Sequence, residues 1–313
     1  MNRVPFSLLL LMFVAAGCGA PLTDEEVASD LTGDNDGDGI ADSVEASLMA
    51  RFSPTVRLDP SDTTRPANVD WYLPYVHMRF NHPHCPDHQV LADGTVDQGK
   101  LSTQTHPTDN IICSHTSTIY SSGSSHAEFF LQPTDTSIWS GTAASGWRTY
   151  VHVKKSSLVS GGYDVQYWFF YAYDDGPLDF NHEADWEHIT VTANADQSFA
   201  SAWYAQHNSG TRYSASQLHF VNGTHPVVYS AKGTHASYPS AGSFDVTLGF
   251  TDYTSDGGPS YDTASNQVNV GEIGAPLSGQ TFIKYGGGWG EIGSTSYTTG
   301  PRTPSYQPTW NSY

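Results

Sequence analysis

The chain has 313 residues, with 32 acidic side chains against 13 basic ones and a formal net charge of −19. Such a balance repels phosphate backbones and anionic headgroups unless a cation intervenes, so nucleic-acid binding is excluded as a main function and divalent cations are favoured. Charged residues make up only 14% of the chain, against about 25% in typical soluble domains. With abundant Ser, Thr, Gly, Tyr and Trp, this suits an exported β protein with polar, uncharged surfaces.

The N-terminus places Arg3 before an apolar run from Phe6 to Val14, followed by Ala15-Ala16-Gly17-Cys18. The run is too short to cross a hydrocarbon layer of roughly 30 Å as a helix. Small residues directly before a cysteine suit cleavage of a signal segment and lipidation of Cys18. Residues 1–17 are therefore expected to be a lipoprotein signal peptide and 18–33 a polar tether. The mature protein is expected on the bacterial outer membrane or cell surface, held to the bilayer by its anchor.

Residues 34–45 read Asp-Asn-Asp-Gly-Asp-Gly-Ile-Ala-Asp-Ser-Val-Glu. Carboxylates at positions 1, 3, 5, 9 and 12 (Asp34, Asp36, Asp38, Asp42 and Glu45), with Gly39 permitting a sharp turn, supply the oxygen-rich cage that Ca²⁺ prefers. The loop resembles thrombospondin type 3 calcium repeats, and less completely an EF-hand, because Ile40 falls at position 7 rather than 8. Val44, Leu48 and Phe52 follow at helical spacing, which predicts a short helix leaving the loop.

Residues 46–313 are expected to form one domain. Beyond Pro54 the pattern becomes short β-like runs broken by turn residues: 150–153, 164–173, 187–193, 199–206, 226–230, 244–250 and 281–285. Many short strands argue for a mostly β sandwich over βαβ units, and no long amphipathic helix follows residue 52. Cys85 and Cys113 are an even pair in an oxidising compartment and are expected to form a disulfide. A metal site is the alternative, because His82, His84, His88 and His115 lie close in sequence.

The stretch 174–188 carries the candidate chemistry. In a strand ending this segment, Asp185 and Glu187 share a face with Ile189, Val191 and Ala193, while Trp186 and His188 occupy the other. Two carboxylates on an otherwise apolar face cost several kcal/mol per buried ion unless one is protonated or a cation neutralises them. A divalent ion held by Asp174, His182, Asp185 and Glu187 would meet that demand, with Ca²⁺ or Mg²⁺ expected and Mn²⁺ also compatible with mostly oxygen ligands. A hydrogen-bonded acid and histidine network is the alternative.

The block Asn181-His182-Glu183-Ala184-Asp185-Trp186-Glu187-His188 resembles the Gly-His-Arg-His-Asp-Trp-Glu-His signature of the necrosis-inducing protein family. It is more similar still to the vacuolar-protein-sorting 62-related family, whose resemblance continues through Arg51–Pro54, Val69–Tyr72, Tyr167–Tyr171, Ala205–Gly210, His225–Ser230, Gly233–Pro239 and Trp289–Glu291. The necrosis-inducing resemblance implies an actinoporin-like β-sandwich with a cation in a surface cavity, used to engage a glycolipid headgroup before membrane damage. By position Asp174, His182, Asp185 and Glu187 fall on the cation ligands, with His235 and His188 near the site. Asn181 and Ala184 depart from the signature.

Together these readings point to a lipid-anchored, cation-dependent protein that binds a glycan or glycolipid headgroup, toxin-like in its extreme form, rather than to an enzyme. The alternatives are a metal-dependent hydrolase, in which Glu187 or His188 activates water, and a surface lipoprotein whose cations only stabilise the fold.

Overall fold

The computed structural model describes residues 33–311, apart from 83–84, 104–127, 178–179, 208 and 247–248. Cys18 and Cys113 lie outside the described residues.

The chain begins with the Asp34–Glu45 loop and helix α1 (Asp42–Phe52), which buries Glu45, Leu48, Met49 and Phe52. Two short helices, α2 (Val69–Tyr72) and α3 (Gln98–Thr103), follow. Pro54 ends α1 by forcing Ser53 out of the helical region.

The rest is mostly β. The central sheet runs in the order β16 (Gln267–Asn269), β5 (Thr149–Lys155), β6 (Tyr163–Asp174), β7 (His182–Ala193), β8 (Phe199–Gln206), β9 (Ser209–Tyr213). The pairs from β5 to β9 are antiparallel, and β16 lies parallel to β5.

A second sheet runs β10 (Phe220–Val221), β11 (His225–Ser230), β1 (Thr55–Arg57), β15 (Ser260–Asp262), with β12 (Ser237–Tyr238) on β11. A third holds β3 (Cys85–Leu91), β2 (Val76–His82) and β4 (Glu128–Pro133) in that order, and β13 (Gly242–Asp245) forms a hairpin with β14 (Thr251–Thr254).

The central sheet is covered on both faces, so its middle strands are apolar almost throughout. On one face Trp168, Phe170 and Trp186 pack with Met78, Phe80 and Leu131 of the third sheet and with Phe282, Trp289 and Trp310 of the C-terminal segment. On the other, Val165, Tyr167, Phe169, Ile189 and Val191 pack with Val56 and Val228 of the second sheet and with Leu48 and Phe52 of α1. Ile40 of the acidic loop belongs to this second cluster. Each fully buried large side chain contributes about 1.5–3 kcal/mol of transfer free energy. The sandwich expected from the strand pattern is thus present, with the central sheet as its middle layer.

Two elements differ from the sequence expectation. The run 244–250 is not one strand: β13 stops at Asp245, and Gly249 sits at φ 83° before β14 begins at Thr251. The run 281–285 is a 3-10 turn over Thr281–Lys284, which buries the successive residues Phe282 and Ile283. The turn places both side chains in the cluster that holds Trp186 and Trp289.

Candidate functional site

Strands β6 and β7 build the site from one register. Tyr171 lies opposite Asp185 and Asp174 opposite His182. In a regular strand His182 and Asp185, three apart, would point to opposite faces. Between them Ala184 takes φ 57°, which breaks the alternation and turns both side chains toward one spot. Ligand atoms of Asp174, His182 and Asp185 lie within 4.8 Å of one another. That spacing fits three donors around one cation at about 2.3–2.6 Å each.

The side chains of the cluster are set by their surroundings. His182 Nδ1–H donates to Ala184 O at 2.7 Å. This fixes the tautomer and turns Nε2, 3.7 Å from Asp174 Oδ2, toward the cluster. Glu187 is 6% exposed and its Oε2 has no hydrogen-bond partner among the described residues. Burial, with the charges of Asp185 and Asp174 beside it, pushes the Glu187 carboxyl well above its ordinary range. Asp174 is pushed up for the same reasons, burial first and Asp185 second. Mostly carboxylate donors with one imidazole fit Ca²⁺, Mg²⁺ or Mn²⁺.

Behind the cluster stands His235, 1% exposed, with Nδ1 2.9 Å from Asp185 Oδ2 and Nε2 3.6 Å from Asp62 Oδ2. Its ring stacks on Tyr171 at 3.7 Å and 3°. Burial alone would lower its pKa, but the Asp185 hydrogen bond and the charge of Asp62 outweigh this and raise it. Asp62 is itself held by N–H donation from Thr64 and Gly233.

The cluster forms part of the wall of a cavity of about 830 Å³. Phe180, Phe250 and Tyr297 add aromatic surface, with Phe180 5.3 Å from Tyr297 and 6.3 Å from Phe250 between ring centroids. Residues 293–299 supply hydroxyls from Ser294, Thr295, Ser296 and Thr299.

His207 lies on the same cavity, its Nε2 2.8 Å from Asp252 Oδ2. Asp252 also accepts from Thr234 Oγ1 at 2.9 Å and Tyr238 OH at 2.7 Å. Ala184, His207 and His235 are three of the six non-glycine residues with positive φ among the described residues. Backbone strain is concentrated where the polar groups converge.

Of the residues singled out from sequence, Asp174, His182 and Asp185 converge, Glu187 adjoins them and His235 supports Asp185. His188 does not reach the cavity. It faces the opposite side of β7, stacked on Trp168 at 3.8 Å, and burial lowers its pKa to about 3. The pleat therefore turns His188 away from Asp174, His182 and Asp185, contrary to the expectation that it lies near them.

In the N-terminal loop, ligand atoms of Asp34, Asp36 and Asp38 lie within 4.8 Å of one another. Glu45 is buried, and its carboxyl is pushed up to about 8 by burial and then by the charge of Asp36. Asp42, expected as a ligand, instead turns back to accept from Asn35 N–H at 3.0 Å and from the Asn35 side-chain amide.

Sequence reading did not find Asp62 or Asp252, which carry no motif and arrive from distant strands and loops. His207 was legible only as one histidine among several near strand ends.

The resemblance to the vacuolar-protein-sorting 62-related family read from sequence is borne out. Residues 101–249 match the model of the Vps62 family, vacuolar protein sorting-associated protein 62, a span that includes Asp174, His182, Asp185, Glu187, His207 and His235. The chain is 29% identical to vacuolar protein sorting-associated protein 62 of Saccharomyces cerevisiae, over 45% of this chain and 38% of that protein. It is also 29% identical to the putative vacuolar protein sorting-associated protein TDA6 of the same yeast, over 47% and 42%. The match thus spans about two-fifths of the length of these relatives.

Among solved structures, necrosis and ethylene inducing protein 2 from the causal agent of cocoa's witches' broom disease superposes with a TM-score of 0.38 at 14% identity, covering 75% of this chain and 78% of that one. The non-toxic HaNLP3 protein gives 0.38 at 11%, covering 78% and 81%.

Proposed function

We propose that this chain is an exported, lipid-anchored binding protein that holds one divalent cation on Asp174, His182, Asp185 and Glu187 and uses it to engage a glycan or glycolipid headgroup. The observation that carries the reading is the convergence of Asp174, His182 and Asp185 within 4.8 Å on a cavity wall, beside the buried Oε2 of Glu187, which has no hydrogen-bond partner among the described residues. Three like charges packed together are tolerable when a cation neutralises them. Four protein donors leave coordination positions open on Ca²⁺, which takes six to eight oxygens. Vicinal hydroxyls of a sugar are suited to such positions, and the hydroxyl-lined and aromatic walls offer hydrogen bonds and an apolar face to a pyranose ring.

The test is metal analysis and glycan-array binding on the wild-type chain and on Asp185→Asn/Glu187→Gln. Loss of one bound cation together with loss of chelator-sensitive glycan binding is expected. Glycan binding that survives both EDTA and the double substitution would remove the cation from the function. Dye release from glycolipid-containing vesicles then distinguishes binding from membrane damage.

A second reading, metal-assisted hydrolysis, is favoured by one observation: His207, oriented by Asp252, faces the same cavity. An imidazole held in one orientation by a carboxylate is suited to proton transfer.

A further inference from the structure

We infer that the Asp34–Glu45 loop is a calcium site built into the body of the β domain, in which Asp34, Asp36, Asp38 and Glu45 hold the ion while Asn269 of β16 positions Glu45. Bound Ca²⁺ then fastens the N-terminal segment to the edge of the central sheet.

The loop is shaped before any ion arrives. Gly37 and Gly39 sit at φ 79° and 81°, a left-handed backbone that a residue with Cβ adopts at a cost. The Asp34 carboxylate accepts N–H bonds from Gly37 at 2.8 Å and Gly39 at 2.9 Å. Asp38 Oδ1 accepts from Ile40 N–H at 2.6 Å. These bonds aim the carboxylates inward without exhausting them.

Four carboxylate oxygens remain without a partner among the described residues: both of Asp36, Oδ2 of Asp38 and Oε1 of Glu45. Asp36 is 7% and Glu45 1% exposed, so water does not replace the missing partners freely. Buried, unpaired carboxylates of like charge are strongly unfavourable unless a cation sits among them. A Cβ on Gly39 would lie 2.6 Å from Lys155 Nζ, which places one positive charge at the loop. A single ammonium does not balance four carboxylates.

The feature absent from any twelve-residue motif is Asn269. Its Nδ2 donates to Glu45 Oε2 at 3.0 Å, while its Oδ1 accepts from Gly271 N–H at 3.0 Å. Glu45 is thereby held from a strand 224 residues further along the chain. One oxygen of Glu45 is used for positioning and the other is left for the ion. Because Ile40 and α1 pack on the same core as β5 and β7, the loop is continuous with the domain and is not a pendant module. Carboxylate oxygens spread around an irregular loop favour Ca²⁺ over Mg²⁺, which demands a near-ideal octahedron at shorter distances.

The test uses the full chain with calcium as the only probe, following bound equivalents by equilibrium dialysis and thermal midpoint with and without EDTA. Asp36→Asn/Glu45→Gln should lose one calcium equivalent that Asp185→Asn retains, which separates this site from the one in the cavity. The same double variant should melt higher than wild type in EDTA, because buried like charges are removed, yet lose the calcium-induced rise. Asn269→Ala should keep the equivalent but weaken its affinity about 10-fold or more, the usual cost of losing an orienting partner. Unchanged stoichiometry in the loop variant, or a lower midpoint in EDTA than wild type, overturns the site. Unchanged affinity in Asn269→Ala overturns the clasp to the sheet edge.

Discussion

His235 Nδ1 lies 2.9 Å from Asp185 Oδ2, and the two residues are 50 positions apart in the chain. The loop after β11 therefore decides how a carboxylate on β7 is aimed. His235 sits at φ 53°, a conformation that Asn adopts more readily than most residues. His235→Asn should keep the turn while losing the ring that stacks on Tyr171 and orients Asp185. Calcium affinity at the cavity site, measured by isothermal titration, is expected to fall about 10- to 100-fold with the fold intact by circular dichroism. An affinity equal to wild type would show that Asp185 needs no support.

Ala184 is the residue whose left-handed backbone brings His182 and Asp185 together. It is fully buried, and an L residue with a Cβ pays roughly 1–2 kcal/mol for that conformation. Ala184→Gly should be near neutral or mildly stabilising in urea unfolding, since relief of strain offsets about 0.5–1 kcal/mol of added chain entropy. Ala184→Val adds a β-branched side chain at positive φ in a filled core and should destabilise by about 2 kcal/mol or more. It should also abolish cation binding in whatever fraction remains folded. Retained binding in the valine variant would mean that the kink is not what aligns the ligands.

The His207 and Asp252 pair gives a pH dependence whose sign is fixed. Burial opposes the charged form of His207, but the Asp252 hydrogen bond and charge outweigh it, and the folded pKa is raised. For Asp252 burial again opposes ionisation, yet His207, Tyr238 and Thr234 together lower the pKa. A raised histidine contributes stability that is fully present below its unfolded value of about 6.5 and is lost as pH rises through the folded value. A lowered aspartate contributes stability present above about 3.9 and lost as pH falls through its folded value. The stability difference between wild type and His207→Gln should therefore be largest between about pH 4 and 6.5 and shrink above that window. Calcium should reduce the His207 shift, followed by NMR, because Asp174 and Asp185 add to it. A difference that grows with pH above 7 would contradict the assignment.

Some of this was legible in the chain itself. The alternation of Asp185, Glu187, Ile189 and Val191 against Trp186 and His188 fixed which groups could face a cation, because pleating gives every strand a period of two. The ordered carboxylates of the acidic loop were readable for a similar reason, since ligand spacing in a tight turn is local. Val44, Leu48 and Phe52 announced a helix through their spacing of four.

What the sequence did not reveal is non-local or conformational. Thr281–Tyr285 reads as a strand by composition, and only the fit of Phe282 against Trp186 and Trp289, with Ile283 buried in the same cluster, makes it a 3-10 turn. Ala184 gives no sign of a positive φ, and no spacing rule links Asp62 to His235 or Asp252 to His207. Periodicity and turn chemistry are properties of neighbours along the chain, so the sequence by itself determined the strands, the acidic loop and the face of β7. Meetings such as Asn269 with Glu45 depend on how sheets stack and which loops cross at their ends. Only the packed tertiary structure decided those, because burial and register across distant segments set the free energy of each contact.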